Sequence, residues 1–315
     1  MVGRGALYAI GSDPNGGPLR IRLRSRPLVV VGVAALLAGG CRGESAHPAG
    51  TPAADSTRAP ILIGDTLLPS GPLGVSARRG LALMEHTPDS LPQYARSALR
   101  CMSCHLDDGR RAKGLPLVGT FARYPQYRAR DGRVDLITDR VNDCFQRSLN
   151  GKPLPVESSA MRDIIVYLAW VSRRTRVLDS GVAAKRPVLV PDTARGHAIF
   201  ATICAQCHGA DGNGGTYLGP VPPLWGNRSF NIGAGMARLR TIAAFVRYNM
   251  PFNHPGTLTD QQAFDVAAFV ISRPRPDYPG KEKDWPNGDP PPDVAYPTAA
   301  AARKAAARST PTGAH

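Results

Sequence analysis

The chain contains no lysine-rich run within its two predicted domains, and no interleaving of aromatic and basic side chains of the kind that binds nucleic acid. Its apolar run at residues 28–38 is too short to cross a bilayer comfortably. No methionine lies between Met102 and Met161. We therefore expect no nucleic-acid partner and no ordinary membrane span, and the scarcity of sulfur-bearing residues makes their positions informative.

The formal net charge is +15, of which +4 lies in residues 1–40 and none in residues 276–315. Residues 41–275 therefore carry +11. A basic surface of this kind attracts anionic substrates or an acidic redox partner.

Four of the six cysteines lie in two C-x-x-C-H motifs, a spacing typical of c-type haem attachment. Two thiols bond to the vinyl groups of one porphyrin, and the adjacent histidine binds the iron. The alternatives are a disulfide scaffold or zinc, which would need each set of ligands completed to four. The sequence predicts two covalently bound haem c groups, held by Cys101, Cys104 and His105 and by Cys204, Cys207 and His208.

The N-terminal region resembles an export signal. Arginines between residues 20 and 26 precede the apolar run, and Gly39 and Gly40 precede Cys41. Cys41 stands where a lipid-bearing lipoprotein cysteine would stand, although Ala38 occupies a position where such signals usually have a larger aliphatic residue. The alternatives are a periplasmic protein anchored through Cys41 and a soluble periplasmic protein. Covalent haem attachment also requires export.

Between residues 61 and 275 the chain repeats one plan: a helix, a haem motif, loops and a closing helix. Helical spacing marks residues 75–86, 159–173, 236–248 and 259–271, with Asp192 as an N-cap and Thr259 and Gln262 as a capping box. The predicted fold is mainly α, with two tandem domains that resemble class I cytochromes c, each binding one haem. The predicted divisions are 1–41 signal peptide, 42–60 flexible tether, 61–180 first domain, 181–191 linker, 192–275 second domain and 276–315 disordered tail.

The second axial ligand of each iron is predicted to differ between the domains. Met250 lies 42 residues after His208, just before a proline, and suits an iron ligand, with His254 and Met236 as alternatives. The corresponding interval in the first domain, 39 residues after His105, ends at Cys144. A thiolate is a strongly donating haem ligand, which favours chemistry on sulfur over simple electron relay. The alternative is that Cys144 is a small buried side chain.

Arginines flank Cys144, with Ser148 and Asn150 just beyond it. Guanidinium groups grip oxyanions through paired, charge-assisted hydrogen bonds. The alternative is a solvated face or a set of haem-propionate partners. Several arginines around one candidate thiolate ligand favour an anion pocket, and these are Arg130, Arg133, Arg140 and Arg147.

Residues 119–130 and the segment R-V-N-D-C-F-Q-R-S-L-N-G at 140–151 resemble the dihaem thiosulfate dehydrogenases, periplasmic enzymes that couple two thiosulfates into tetrathionate. The resemblance extends over about residues 71–273. It implies that Cys144 is the distal ligand of the catalytic haem, that Arg130 and Arg140 bind sulfonate oxygens with Ser148 nearby, and that Met250 ligates the haem that passes electrons out. In some relatives a lysine precedes that methionine and competes for iron; the residue here is Asn249, so we expect no such exchange with lysine.

The resemblance implies reversible thiosulfate oxidation, with a small periplasmic electron acceptor such as a cytochrome c. Two rival functions stay open. A non-catalytic dihaem electron carrier would place Met or His on both irons. The second rival is a haem subunit that acts on sulfur bound to a carrier protein. The dihaem subunit of the sulfur-oxidising multienzyme complex, which also uses a Cys-ligated haem, is an example.

Overall fold

Short helices and two small antiparallel sheets make up the part of the chain that the computed structural model describes, residues 67–173, 189–217 and 219–298 with Ala301 and Arg303. The export signal, Cys41 and tether, and residues 181–188 of the predicted linker, lie outside these residues. The α-helices are α1 (Gly71–Glu85), α2 (Thr87–Ser90), α3 (Leu106–Gly109), α4 (Ile137–Asp143), α5 (Ser159–Ser172), α6 (Thr193–Ile199), α7 (Ala205–His208), α8 (Leu239–Asn249) and α9 (Asp260–Ser272). The strands are β1 (Gln126–Arg128), β2 (Arg133–Asp135), β3 (Gly215–Thr216) and β4 (Pro220–Val221), with β1 paired to β2 and β3 to β4.

In the first half of the fold, residues 67–173, helices α1 and α5 cross at Gly80. A Cβ atom at this position would lie 2.0 Å from the carbonyl oxygen of Asp163, so only glycine permits the close approach. The side chain of Asp163 accepts hydrogen bonds from Arg79 Nε at 2.7 Å and Ser76 Oγ at 2.5 Å. The crossing is therefore fixed by a glycine contact and an ion pair together.

The second half, residues 189–273, repeats this crossing with helices α6 and α9. A Cβ atom on Gly196 would lie 2.1 Å from the carbonyl oxygen of Asp265. Arg195 Nε donates to the Asp265 carboxylate at 2.8 Å. An Arg-Gly pair on the opening helix and an aspartate on the closing helix thus form the same joint in both halves.

One continuous hydrophobic core runs through both halves and includes Phe145 and Tyr167 from the first and Phe200 and Phe245 from the second. Hydrogen bonds join the halves directly, for example from Asn231 Nδ2 to the carbonyl oxygen of Gln146 at 2.9 Å. The two halves are packed as one unit.

The predicted helical architecture is confirmed. Asp192 Oδ1 accepts from the backbone N–H of Ala194 at 2.8 Å as the N-cap of α6, and the Thr259–Gln262 capping box opens α9. The middle helix begins later than predicted, at Leu239, because Gly235–Ala237 forms a separate 3₁₀ turn. Within the described ranges, no helix has the length and apolarity needed to cross a membrane.

The prediction of a disordered tail is wrong for residues 276–298. Residues 274–298, here called the C-terminal segment, fold back over the first half, where Asp284, Trp285 and Tyr296 are buried. Arg147 Nη1 and Nη2 both donate to the Asp284 carboxylate at 2.8 Å, and the backbone N–H of Trp285 donates to the carbonyl oxygen of Arg130 at 2.7 Å. The segment is held by these buried polar contacts together with the buried rings of Trp285 and Tyr296.

Candidate active site

The first C-x-x-C-H motif begins in a 3₁₀ turn at Cys101–Ser103, and its histidine is held by one backbone contact. The Nδ1 atom of His105 lies 2.5 Å from the carbonyl oxygen of Leu115. Because a carbonyl oxygen only accepts, Nδ1 must carry the proton, which leaves Nε2 with a free lone pair for a metal. Burial raises the pKa of the Cys101 and Cys104 thiols to about 12.

The second motif ends in α7 and has the same arrangement. His208 Nδ1 lies 3.1 Å from the carbonyl oxygen of Pro222, and burial lowers the pKa of this histidine. A histidine that stays neutral, with its Nε2 free, is suited to bind iron. Burial also raises the pKa of the Cys204 thiol to about 11.

Buried guanidinium atoms without partners provide an independent test of whether haem fits these motifs. Arg111 Nη1 and both Nε and Nη1 of Arg275 are buried with no hydrogen-bond acceptor among the described residues. Burial lowers the pKa of Arg275 to about 10. Arg111 also pairs with Asp107, but these buried donor atoms still call for an acceptor, and each haem brings two propionate groups that can accept. The thiols, the histidines and these arginines fit haem c.

Cys144 lies where α4 runs on into a π-helical turn, Cys144–Ser148. Such turns are often found at functional sites. Arg140, one turn earlier on the same face, donates from Nη1 to Cys144 Sγ at 2.9 Å. Burial raises the pKa of the Cys144 thiol, but the charge of Arg140 and the nearness of His105 lower it more, to about 7. The structure therefore brings Cys144 and His105 together and favours the thiolate form of Cys144.

Arg130, Arg140 and Ser148, which the sequence predicted to lie near Cys144, line one cavity of about 370 Å³. Arg130 donates from Nη1 to the carbonyl oxygen of Gly233 at 2.9 Å, and its guanidinium lies 4.7 Å from the centre of the Trp285 ring. Burial and the charge of Arg147 lower the pKa of Arg130. The remaining lining residues are Gln126, Tyr127, Arg128, Ala129, Asp143, Arg147, Gly235, Arg238, Trp285 and Pro291.

Arg147 is committed to carboxylates and not available to a ligand. It is buried, pairs with Asp284 through two hydrogen bonds, and lies 3.3 Å from Asp143 and 3.7 Å from Asp131. Burial opposes its charge, but hydrogen bonds from Arg147 to Asp284 and the nearby charges raise its pKa. Arg133, the other arginine that the sequence placed near Cys144, is exposed, binds Asp135 and Asp139, and does not line the cavity.

The other motif residues around Cys144 shape the backbone. Asn142 donates to the carbonyl oxygen of Leu154 at 3.0 Å and accepts from its N–H at 2.8 Å. Asn150 has φ +47°, and a Cβ on Gly151 would lie 1.7 Å from the carbonyl oxygen of Tyr94. These residues explain why the segment around Cys144 has so specific a sequence.

Met250 follows α8 and is half-buried against the hydrophobic core. The neighbouring Asn249 is fully buried and donates to the carbonyl oxygen of Lys113 at 2.8 Å, so this loop rests on the first half. Of the alternatives, His254 is exposed and Met236 is buried in the core. Iron ligation by Met250 stays a prediction.

Sequence reasoning missed three groups that belong to the site: Asp284 and Trp285 from the C-terminal segment, and Arg238 at the start of α8. Asp284 and Trp285 were missed because the many prolines and charges of the C-terminal segment are typical of a disordered tail. Arg238 carried no motif, and only its position in the fold brings it to the cavity.

Comparison with known proteins agrees with the two-domain plan. Residues 93–177 match the family model described as SoxA/TsdA, cytochrome c domain, and residues 191–270 match that of cytochrome C oxidase, cbb3-type, subunit III. The predicted tandem cytochrome c fold is thereby confirmed, and such domains bind haem c.

Curated thiosulfate dehydrogenases are similar over most of the chain. That of Psychrobacter arcticus is 41% identical and covers 73% of this chain and 72% of the relative. The thiosulfate dehydrogenase of Allochromatium vinosum is 42% identical, and the match covers 67% of this chain and 82% of the relative. A solved structure of the TsdBA thiosulfate dehydrogenase from Marichromatium purpuratum is 37% identical with a TM-score of 0.61 and covers 67% of this chain. The chain spans about half of that solved protein, 48% of its length. On the identity and coverage of the curated relatives, the chain belongs to the thiosulfate dehydrogenase family of cytochromes.

Proposed function

We propose that this protein oxidises thiosulfate to tetrathionate at Cys144. The observation that carries the proposal is the 2.9 Å hydrogen bond from Arg140 to Cys144 Sγ, at a cavity that Arg130 and Ser148 also line. A sulfur nucleophile held as a thiolate beside cationic side chains suits the capture of a sulfur oxyanion. The relatives' names support thiosulfate as that anion.

Two covalent haem c groups would be held by the two C-x-x-C-H motifs, with Cys144 and Met250 as further residues that would bind iron. When bound, the haems supply one-electron acceptors that Met/His and Cys/His ligation set at different potentials. The hydrogen bonds from His105 to Leu115 and from His208 to Pro222 fix which nitrogen of each histidine faces the metal.

The first chemical step joins two sulfur atoms. Arg130 and Arg140 bind the sulfonate oxygens of thiosulfate, and the Ser148 hydroxyl donates a further hydrogen bond. The Cys144 thiolate then forms a sulfur–sulfur bond with the outer sulfur of thiosulfate. Two electrons are released, and Cys144 is left carrying an S-linked thiosulfate with one net negative charge.

The second step regenerates the thiolate. A second thiosulfate attacks the outer sulfur of the Cys144 adduct, the Cys144–sulfur bond breaks, and tetrathionate leaves. This is thiol–disulfide exchange, in which Arg140 stabilises the departing Cys144 thiolate. No net electron transfer occurs here, so the two electrons of the first step account for the whole reaction, and the same path run backwards reduces tetrathionate.

We propose that the reaction takes place outside the cytoplasmic membrane, with a small periplasmic acceptor such as a cytochrome c taking the electrons. Attachment to the membrane would come only through a lipid on Cys41. The basic charge of residues 41–275 supports an acidic acceptor.

The test is a thiosulfate-dependent ferricyanide reduction assay on the purified haem-loaded protein, with tetrathionate measured chromatographically. We expect two ferricyanides reduced for each tetrathionate formed. Cys144→Ala should abolish this activity while both haems stay attached, as judged by covalent haem content. Full activity of Cys144→Ala would remove Cys144 from the mechanism.

Magnetic resonance of the oxidised protein separates the proposal from a plain electron carrier. The proposal requires one low-spin thiolate signal, whereas two Met/His signals would show a carrier. Activity on carrier-bound sulfur, with none on free thiosulfate, would instead show a subunit of a larger sulfur-oxidising system.

A further inference from the structure

The product of the proposed reaction has a sulfonate at each end, so a cavity that makes it needs two anion subsites. The inference below rests on that proposed function. Arg130 and Arg140 supply one subsite beside Cys144. A second thiosulfate approaching the Cys144 adduct brings a second doubly charged anion into the same 370 Å³ cavity, which is costly without another cation.

The arginines of the first half that line the cavity already have partners. Arg147 is saturated by carboxylates. Arg128 Nη1 donates to the Tyr124 hydroxyl at 3.1 Å. Arg130 and Arg140 contact Gly233 and Cys144 and belong to the first subsite.

Arg238 differs from these four. It lies at the N-cap position of α8, on the wall that the second half contributes. Its Nε atom is buried without a hydrogen-bond partner, and within the described part of the chain its side chain makes no ion pair. Its charge also helps to lower the pKa of Arg130, so the two guanidinium groups are close enough to repel each other. An anion between them would remove both the repulsion and the unsatisfied donor.

We propose that Arg238 forms the second anion subsite of the cavity and binds the sulfonate of the attacking thiosulfate, or the far sulfonate of tetrathionate. The ligand class is a divalent sulfur oxyanion. Arg238 thereby joins the second domain to the chemistry of the first, because the subsite is complete only when both halves are folded together.

The rival role for Arg238 is a haem-propionate partner. Arg111 and Arg275 have the same kind of unpaired buried atoms, but neither lines the cavity that contains Arg130, Arg140 and Ser148. This difference in location favours substrate for Arg238 and propionates for the other two.

The test compares Arg238→Gln and Arg238→Lys with Arg240→Gln in the haem-loaded protein. Arg240 is exposed two residues later and does not line the cavity, so it is a matched control for loss of charge. Tetrathionate affinity is measured by calorimetry on the oxidised protein, and the midpoint potentials of both haems are measured alongside. We expect Arg238→Gln to weaken tetrathionate binding about ten- to a hundredfold, Arg238→Lys to weaken it less, and Arg240→Gln to leave it unchanged.

Equal tetrathionate affinity in Arg238→Gln and the wild type would overturn the proposal. So would a shifted haem potential with unchanged affinity, which would identify Arg238 as a propionate partner. The binding measurement needs no turnover. A wild type that binds tetrathionate through Arg238 but fails to oxidise thiosulfate would therefore reject the proposed reaction and keep the subsite.

Discussion

The two halves of the molecule share their helix crossing and the setting of their haem-motif histidine, and they differ in the segment that carries the second predicted iron ligand. Each has an Arg-Gly pair packed against an aspartate of the closing helix, and each has a histidine whose Nδ1 faces a backbone carbonyl. Between haem motif and closing helix they diverge. The first half places Cys144 in a π-helical turn, and the second places Met250 after α8.

This difference is in keeping with the two tasks proposed for the halves. The helix crossing is alike in both halves, although the residues between haem motif and closing helix differ. The first half also receives the C-terminal segment, which buries Arg147 against Asp284 and places Trp285 on Arg130. The loop of Met250 instead packs against Arg111 and Lys113 of the first half, and its residues Tyr248 and Phe252 stay partly exposed. The first half therefore has an anion cavity that the C-terminal segment borders through Trp285.

The largest expected effect comes from breaking the shared joint. Gly80→Ala and Gly196→Ala each place a Cβ about 2 Å from a carbonyl oxygen. The helices must separate, so we expect each variant to lose about 3 kcal/mol or more of unfolding free energy. Denaturant unfolding of the haem-loaded protein, followed by far-ultraviolet circular dichroism, measures this loss.

Gly215→Ala is the matched control for the joint variants, because nothing lies within 4 Å of its Cβ position. It should be nearly as stable as the wild type. A stable Gly80→Ala beside an unstable Gly196→Ala would show that the two halves do not rely on the same joint.

A second variant makes the distal sides alike. Cys144→Met gives the first half the same sulfur ligand that we predict for the second. We expect the potential of the first haem to rise, because Met/His ligation favours reduced iron, and thiosulfate oxidation to fall by at least about a hundredfold. Redox titration followed in the visible spectrum, with parallel rate measurements, checks both. An unchanged potential would show that Cys144 is not an iron ligand.

How much of this comparison was predictable depends on how far apart the interacting residues lie in sequence. The haem motifs, the helices and the Thr259–Gln262 capping box depend on neighbours within a few residues, and the sequence predicted them. The interval of 39 residues from His105 to Cys144 could be interpreted because the second half has a similar interval, 42 residues from His208 to Met250. That interval, the absence of methionine between Met102 and Met161 and the family resemblance pointed to Cys144, and the structure added the Arg140 contact, one helical turn away.

The contacts that the sequence did not predict join distant residues. Arg147 and Asp284 are 137 residues apart, and Arg79 and Asp163 are 84 apart. Such pairs leave no periodicity in the sequence. The C-terminal segment was misjudged for this reason: its apolar content is low, and its order depends on partners in the first half.

A smaller effect is expected when acid weakens the shared joint. Hydrogen bonds from Arg79 lower the pKa of Asp163. Burial raises the pKa of Asp265, but hydrogen bonds from Arg195 outweigh this, so the pKa of Asp265 is lowered as well. A lowered folded-state pKa gives stability that is present above the usual aspartate pKa of about 4 and is lost as pH falls through the folded value. The arginines are solvent-exposed, so we expect Asp163→Asn to cost only about 1 kcal/mol at pH 7. Unfolding at pH 7 and pH 3 should show a flatter profile for Asp163→Asn and for Asp265→Asn than for the wild type.

The smallest expected effect tests the asymmetry itself. The guanidinium of Arg130 lies 4.7 Å from the centre of the Trp285 ring, and the Trp285 backbone N–H donates to the Arg130 carbonyl oxygen, so the C-terminal segment holds an arginine of the cavity in the first half. Trp285→Ala removes the ring and keeps the backbone bond, so Arg130 gains freedom while Cys144 is untouched. We expect the KM for thiosulfate to rise about three- to fivefold, with little change in kcat and in the thiolate signal of the oxidised protein. Trp285→Phe keeps a stacking ring and should recover most of the loss. If kcat falls and KM does not, the segment supports the fold of the first half in general, and the positioning of Arg130 is not its contribution.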